Sequence, residues 1–437
     1  MNQAIKTTKL NNDTGADLSK LDDSQSAAVV SHASKVVLRA PAGSGKTWSI
    51  INAIVQYRYE NLNDRICAIT YTRAARAEME SRLQEQGVYD VEVTTIHVWA
   101  RNLLHDFSIK YDFKIRILEE PQIKEILKDI IRDYTIKARL RSINENIVYS
   151  FVTGNKNMEV SDRYRSTLMA LERRYIKYKR DNGLYDFTDY PLYLYDVLTT
   201  YNETINNIDA LFIDEFQDVD TTQFKIFEKV IAKKKFAVGD PWQSIFVFRG
   251  ADGEVFDKVN DFEEHKLKYN YRSYQEIIDY AANVYLSLLP EVENEQDVYI
   301  SMVTSKIDSG INCIHGPGGF VYVVDPYGRS VCMHKDDRDR VTIKLAFTEL
   351  LRRKPMILCR TNKQVAAINS YGYFECSTVH QAKGLEYDNV IVIDTMINNL
   401  ESLNVAYVAL TRARHRVLVI NWAQFEPLLQ ENLELLK

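Results

Sequence analysis

Seven short apolar runs recur along the chain: KVVLRA, RICAITYT, DALFIDE, KKFAVGD, PMILCRT, NVIVIDT and HRVLVINW, bounded by Gly, Pro or Asp and alternating with helix-length stretches. A strand that is apolar on both faces has to be covered on both faces, and helices packed against a parallel sheet do this. The pattern predicts an α/β fold with buried parallel strands. The runs fall into two groups, Lys35 to Asp240 and Lys354 to Trp422, which predicts two α/β lobes. At 437 residues the chain exceeds the size at which one core keeps growing, in keeping with that division.

Between about Leu104 and Tyr185 the strand signal vanishes. PQIKEILKDIIRDY sets Ile123, Ile126, Leu127, Ile130 and Ile131 at helical spacing, so this stretch predicts a helical insertion in the first lobe. HGPGGFVYVVDPYGRSV predicts a loop followed by a hairpin in the second. The net charge of −5 argues against a uniformly basic nucleic-acid coat but leaves room for a local basic cleft. Five cysteines without a CxxC pair, three of them in apolar or strand-like runs, fit reduced thiols and a cytoplasmic protein. The first 20 residues are polar and read as a loose leader, and no apolar run approaches the roughly 20 residues of a membrane span.

LRAPAGSGKTW follows a predicted strand and precedes a helix-like stretch. Ala40 stands where the strict phosphate-loop pattern has its first Gly. The rest of the chemistry is present. In the loop Ala42, Gly43, Ser44, Gly45, the two glycines let backbone N–H groups face a phosphate at a helix N-terminus. Lys46 neutralises outer phosphates and the Thr47 hydroxyl holds Mg²⁺. LFIDEFQD supplies the complement: Asp214 is placed to hold Mg²⁺ through water, and Glu215 to orient and deprotonate an attacking water. Hydrolysis of a nucleoside triphosphate follows.

VGDPWQSIFVFRGAD leaves two readings open. In extended backbone Phe246 and Phe248 point the same way. They are either a core strand or an aromatic platform wired to a polar sensor, Gln243.

Taken in order, LDDSQSAAV, ITYTRAARAEM, TTIHVWARNLL, DEFQD, GDPWQSIFVFRGAD, KYNYRS, ILCRTN, STVHQAKGLEYD and YVALTRAR resemble the successive motifs of the UvrD/Rep/PcrA-type superfamily 1 helicases. The resemblance covers nearly the whole chain. It implies two RecA-like lobes clamping ATP: a leader 1–20, a first lobe of 21–107 and 186–265, a helical accessory subdomain 108–185, and a second lobe 266–437. It implies that Gln25 reads the adenine edge, that Tyr271 stacks on the adenine and that Glu386 lies near the ribose. Gln243, Arg272 and Arg412 are expected at the γ-phosphate. Tyr71, Phe246 and Phe248 are expected to stack on bases, while Thr95, His97, Arg249, Thr378 and His380 are expected to touch or couple to the strand.

Two departures stand out. Trp48 follows GKT where relatives often carry Arg, so Trp48 and Tyr271 are expected to sandwich the base. Asn362 and Thr378 are separated by too few residues for the mobile accessory domain that relatives insert there. The implied function is an ATP- and Mg²⁺-dependent motor moving 3′ to 5′ on single-stranded DNA, with RNA left open as a track. Its rivals are an ATP-switched subunit of a larger complex and a translocase that strips proteins with little unwinding. Protein partners that recruit it are expected, and a membrane is not.

Overall fold

The structure, a computed structural model, describes residues 15–138, 143–154, 162–245, 255–287, 303–306, 321–324, 330–332, 347–348, 350–393 and 400–432. Of the expected leader, residues 1–14 lie outside the described residues.

The chain begins with α1 (Asp23–Val29), β1 (Lys35–Arg39), α2 (Lys46–Glu60), β2 (Ile66–Thr70), α3 (Arg73–Glu85), β3 (Val91–Thr95) and α4 (Ile96–Lys110). Four helices follow: α5 (Glu120–Ala138), α6 (Glu145–Val152), α7 (Asp162–Asp181) and α8 (Tyr190–Thr200). Strands return with β4 (Ala210–Ile213), then α9 (Thr221–Glu228), β5 (Lys234–Gly239), β6 (Glu263–Lys266), β7 (Tyr269–Asn270), α10 (Gln275–Ser287) and β8 (Thr304–Ser305). The last part holds β9 (Val321–Val324), β10 (Ser330–Cys332), β11 (Met356–Cys359), α11 (Asn362–Asn369), β12 (Glu375–Thr378), β13 (Tyr387–Ile393), α12 (Leu400–Leu410), β14 (Ala413–Ile420) and α13 (Trp422–Asn432).

Two compact units divide the molecule. One comprises Met1–Gly15, Ile54–Asp214 and Val219–Lys235; the other comprises Ala16–Ala53, Glu215–Asp218 and Phe236–Lys437. In the first, β2 pairs in parallel with β3, from Ile66↔Val91 to Thr70↔Thr95, and with β4, from Ile66↔Ala210 to Ile69↔Ile213. Every residue of β2 and β4 is buried, as continuous apolar strands require.

The expected helical insertion is present as α5, α6 and α7. The apolar spacing of α5 buries Ile123, Leu127 and Ile131 against Val148, Phe151, Leu168 and Leu171, with Ile126 and Ile130 flanking them. The stretch LERRYIKYKR (171–180), rich in basic residues, lies on α7, where Tyr175 is 1% exposed and Tyr178 40%. Tyr175 and Lys179, four residues apart, turn inward. The Tyr175 hydroxyl donates to Asp186 at 2.9 Å, and the Lys179 ammonium pairs with Asp186 at 2.8 Å and with Asp189. Tyr175 and Lys179 are therefore buried structure, while Arg173, Lys177 and Arg180 stay exposed.

In the second unit β1 pairs in parallel with β6, and Arg39 reaches Glu264 at 2.7 Å along that pairing. A six-stranded sheet runs in the order β10-β9-β14-β13-β11-β12, parallel except for β10 against β9. That antiparallel pair is the expected hairpin, with its connecting residues 325–329 outside the described ones. Ile357, Ile391 and Leu418 from its central strands pack with Phe347, Ile368 and Phe425. Between α11 and β12 lie only five residues, which confirms that no domain is inserted there.

Candidate active site

The loop between β1 and α2 turns because two glycines take left-handed backbone angles, Gly43 at φ +73° and Gly45 at φ +85°. Space demands glycine as well. A Cβ on Gly43 would stand 2.6 Å from Asn270 Nδ2 and 2.8 Å from Arg272 Cβ, and one on Gly45 would stand 2.7 Å from Gln25 Nε2. Gln25 is held by a capping box at the start of α1, where Asp22 accepts from the Ser24 and Gln25 amides. Its Nε2 then donates to the Ser44 carbonyl at 3.1 Å. On the other side Asn270 donates to the Ala42 carbonyl at 2.6 Å, and the Tyr271 amide donates to Gly43 O at 2.8 Å. The loop is thus fixed by α1 and by the Asn270–Arg272 segment, with its glycines letting those side chains approach closely. Such a cradle, opening on Lys46 at the N-terminus of α2, fits a polyphosphate.

Asp214 sits buried just past β4, its amide donating to Ile69 O at 2.9 Å. Glu215 follows at φ +51°, a strained angle for a side-chain-bearing residue and the kind found at functional sites. Its Oε2 accepts from Lys46 Nζ at 2.9 Å and from Gln217 Nε2 at 2.5 Å. Burial alone would raise the Glu215 carboxyl, but the ammonium groups of Lys46 and Lys383 hold it down to about 2. Gln217 works at both ends, since its Oε1 accepts from the Asp240 amide at 2.9 Å. Asp240, fully buried and pushed up to about 6 by that burial, accepts from Gln243 Nε2 at 2.6 Å. The Gln243 side-chain oxygen Oε1 accepts from Arg412 Nη2 at 3.4 Å. Lys46, Glu215, Gln217, Asp240, Gln243 and Arg412 therefore form one connected chain of polar contacts.

Arg412 lies wholly inside. It donates to the carbonyls of Val408 at 3.0 Å and Leu385 at 3.1 Å, and burial together with nearby Arg272 lowers it to about 9. Arg272 donates to Glu386 at 2.5 Å and to the Thr411 carbonyl at 3.2 Å. Both carboxylate oxygens of Glu386 are taken, the second by Arg414 at 2.5 Å. The Tyr271 ring is 44% exposed, with its hydroxyl on Asp22 at 2.6 Å. Thr47 and Trp48 sit half-buried in the first turn of α2.

Among the expected strand contacts, Tyr71 is half-buried between β2 and α3. Thr95 ends β3 at the N-cap of α4, and His97 stacks on Phe187 with centroids 5.8 Å apart. Burial lowers the His97 pKa, partly offset by the Thr188 backbone. Thr378 is buried at the end of β12, its hydroxyl accepting from the Gln381 amide at 3.4 Å, and His380 is half-buried two residues on. Phe246, Phe248 and Arg249 lie outside the described residues.

Sequence reasoning passed over Gln217, Asp218, Asp240, Asn270 and Lys383. A signal was available: DEFQD and GDPWQS each put several polar groups where a strand ends, and buried polar groups demand partners. Asp218, pushed up to about 6 by burial against the pull of Lys383, is an example.

A family model described as UvrD/REP helicase N-terminal domain matches residues 21–264, and one described as UvrD-like helicase C-terminal domain matches residues 373–420. A probable DNA helicase of Mycoplasma pneumoniae is 24% identical over 92% of this chain and 83% of its own length. A probable DNA helicase II homolog of Mycoplasma capricolum is 28% identical over 60% of this chain, and DNA helicase II of Escherichia coli 29% over 61%. In each of the latter two the match spans 40% of the relative's length. With the N-terminal family model covering more than half of its residues, the chain belongs to the UvrD/REP helicase family.

Proposed function

We propose that the chain is an ATP-dependent DNA helicase whose hydrolysis drives 3′-to-5′ movement along single-stranded DNA. The observation that carries the reading is the continuous polar path from Lys46 through Glu215, Gln217, Asp240 and Gln243 to Arg412. It joins a phosphate-loop lysine to a carboxylate, a carboxamide and a buried guanidinium, the set that phosphoryl transfer to water needs. The polarity rests on the family resemblance.

Thr47 and Asp214 would hold Mg²⁺, which when bound neutralises phosphate charge. Lys46 turned toward a phosphate oxygen releases Glu215, whose carboxyl then rises from about 2 toward the range in which it accepts a proton from water. Gln243 orients that water from its fixed place between Asp240 and Arg412. Arg272, freed from Glu386, adds a second cation. Gln25 and Tyr271 take the adenine, with Trp48 opposite.

The test is the ATPase rate of the purified chain with oligo(dT), RNA of equal length, and duplex DNA, each at two salt concentrations. Stimulation by oligo(dT) that falls with salt supports the motor, and a rate indifferent to all three polymers sinks it. The five-residue connection between α11 and β12 favours one refinement, a translocase that displaces proteins with little unwinding.

A further inference from the structure

Lys383 stands in the turn between β12 and β13, and beyond its pull on the Glu215 carboxyl it touches two further groups directly. Its ammonium donates to both carboxylate oxygens of Asp218, at 2.9 and 2.6 Å, and to the Gln243 carbonyl at 2.8 Å. The pair is almost dry, with side chains 8% and 1% exposed. An ammonium has three donors, and these acceptors match them in number. The partners are the two segments that carry the hydrolytic groups. The Asp218 amide donates to Glu215 O at 2.9 Å, so the clamp fixes the strained turn bearing Glu215. The other contact is the backbone of Gln243 itself.

The turn that carries Lys383 begins at Thr378, whose carbonyl accepts from the Gln381 and Ala382 amides at 3.1 and 3.0 Å. It ends near Leu385, whose carbonyl accepts from Arg412. We propose that Lys383 is a positioning residue, which sets Glu215 and Gln243 through one buried ammonium and carries displacements of the 378–386 turn to both. This rests on the reading of Thr378 and His380 as strand contacts. It gives strand binding a direct route to hydrolysis: a push on the turn moves the ammonium, and the ammonium moves the two groups that handle the water. A buried network of this kind is rigid only while every member is satisfied.

The test uses the full chain with Lys383→Met, Lys383→Arg, and the double variant Lys383→Met/Asp218→Asn, which leaves no unpaired buried charge. The measurements are kcat and KM for ATP with and without oligo(dT), the oligo(dT) Kd and the melting temperature. In the double variant, kcat is expected to fall about tenfold or more, with KM and Kd within about threefold, the split expected when positioning rather than binding is lost. Lys383→Arg should recover part of that kcat. Should Lys383→Met fail to fold, the double variant decides. A double variant that melts like the parent and keeps its kcat would make Lys383 a structural cation and overturn the proposal. A parent chain that oligo(dT) does not stimulate would sink the motor reading instead, and basal kcat in the double variant would still settle the positioning role.

Discussion

Lys46 is held by an acid in this structure, and that contact defines its chemistry. Its 2.9 Å bond to Glu215 keeps a cation beside the Gly43–Gly45 turn and holds the carboxyl down to about 2. Replacing Lys46 with Ala should reduce ATP turnover below a few percent of the parent while leaving oligo(dT) affinity nearly unchanged, as read by fluorescence anisotropy. Residual turnover above that level would contradict the role. The placement of Lys46, Asp214 and Glu215 is legible in the sequence, because GKT and DEFQD follow apolar runs that end as strands. Their partners are not. Nothing in the order of residues says that Gln217 reaches forward to Asp240 or that Glu386 is shared by two arginines, since these contacts join segments far apart in the chain.

Among the elements, α7 shows how a charged stretch divides between solvent and core. Lys179, with its side chain 7% exposed, anchors Asp186 and Asp189, while Arg173, Lys177 and Arg180 face water. Breaking a buried pair by removing one partner costs about 3–5 kcal/mol, because the other charge stays behind. Lys179→Met should therefore destabilise the first unit by about that much in urea unfolding, whereas Lys177→Met should cost under about 0.5 kcal/mol. Equal effects at the two positions would show that the helix is solvated throughout. All seven apolar runs became strands: β1, β2, β4, β5, β11, β13 and β14. The sequence reading singled out neither VEVTT (β3) nor EEHK (β6) nor ECST (β12) as a strand, and each lies at a sheet edge. An edge strand tolerates polar side chains on its open faces, so it carries no continuous apolar signature. Periodicity succeeded on α5 because one side of it is core. On α7 the ionic pairing lay beyond composition.

For the whole molecule the informative comparison is length. The chain matches 83% of one Mycoplasma pneumoniae protein but 40% of the probable DNA helicase II homolog of Mycoplasma capricolum and of DNA helicase II of Escherichia coli, and its second unit carries no domain between α11 and β12. If that connection would otherwise support strand separation, two assays should part company. Displacement of streptavidin from a biotinylated single strand is expected to proceed with ATP, while a forked duplex of similar length opens at least about tenfold more slowly, about 1.4 kcal/mol in barrier. Comparable rates on both would remove the distinction. The five cysteines show no paired spacing in the sequence, and in the structure Cys67 and Cys359 are buried while Cys376 is half-buried.

The turn from Ser370 to Phe374 has a use beyond hydrolysis. Tyr371 and Phe374 pack on the core of the large sheet, yet Gly372 between them faces open space and Tyr373 is 54% exposed. Both ends are anchored and the tip is exposed, which makes the Gly372–Tyr373 bond a docking port for a fluorescent reporter. A label spliced there would stand two residues before β12, whose last residue, Thr378, opens the turn that carries Lys383, and would report movements of that strand by energy transfer.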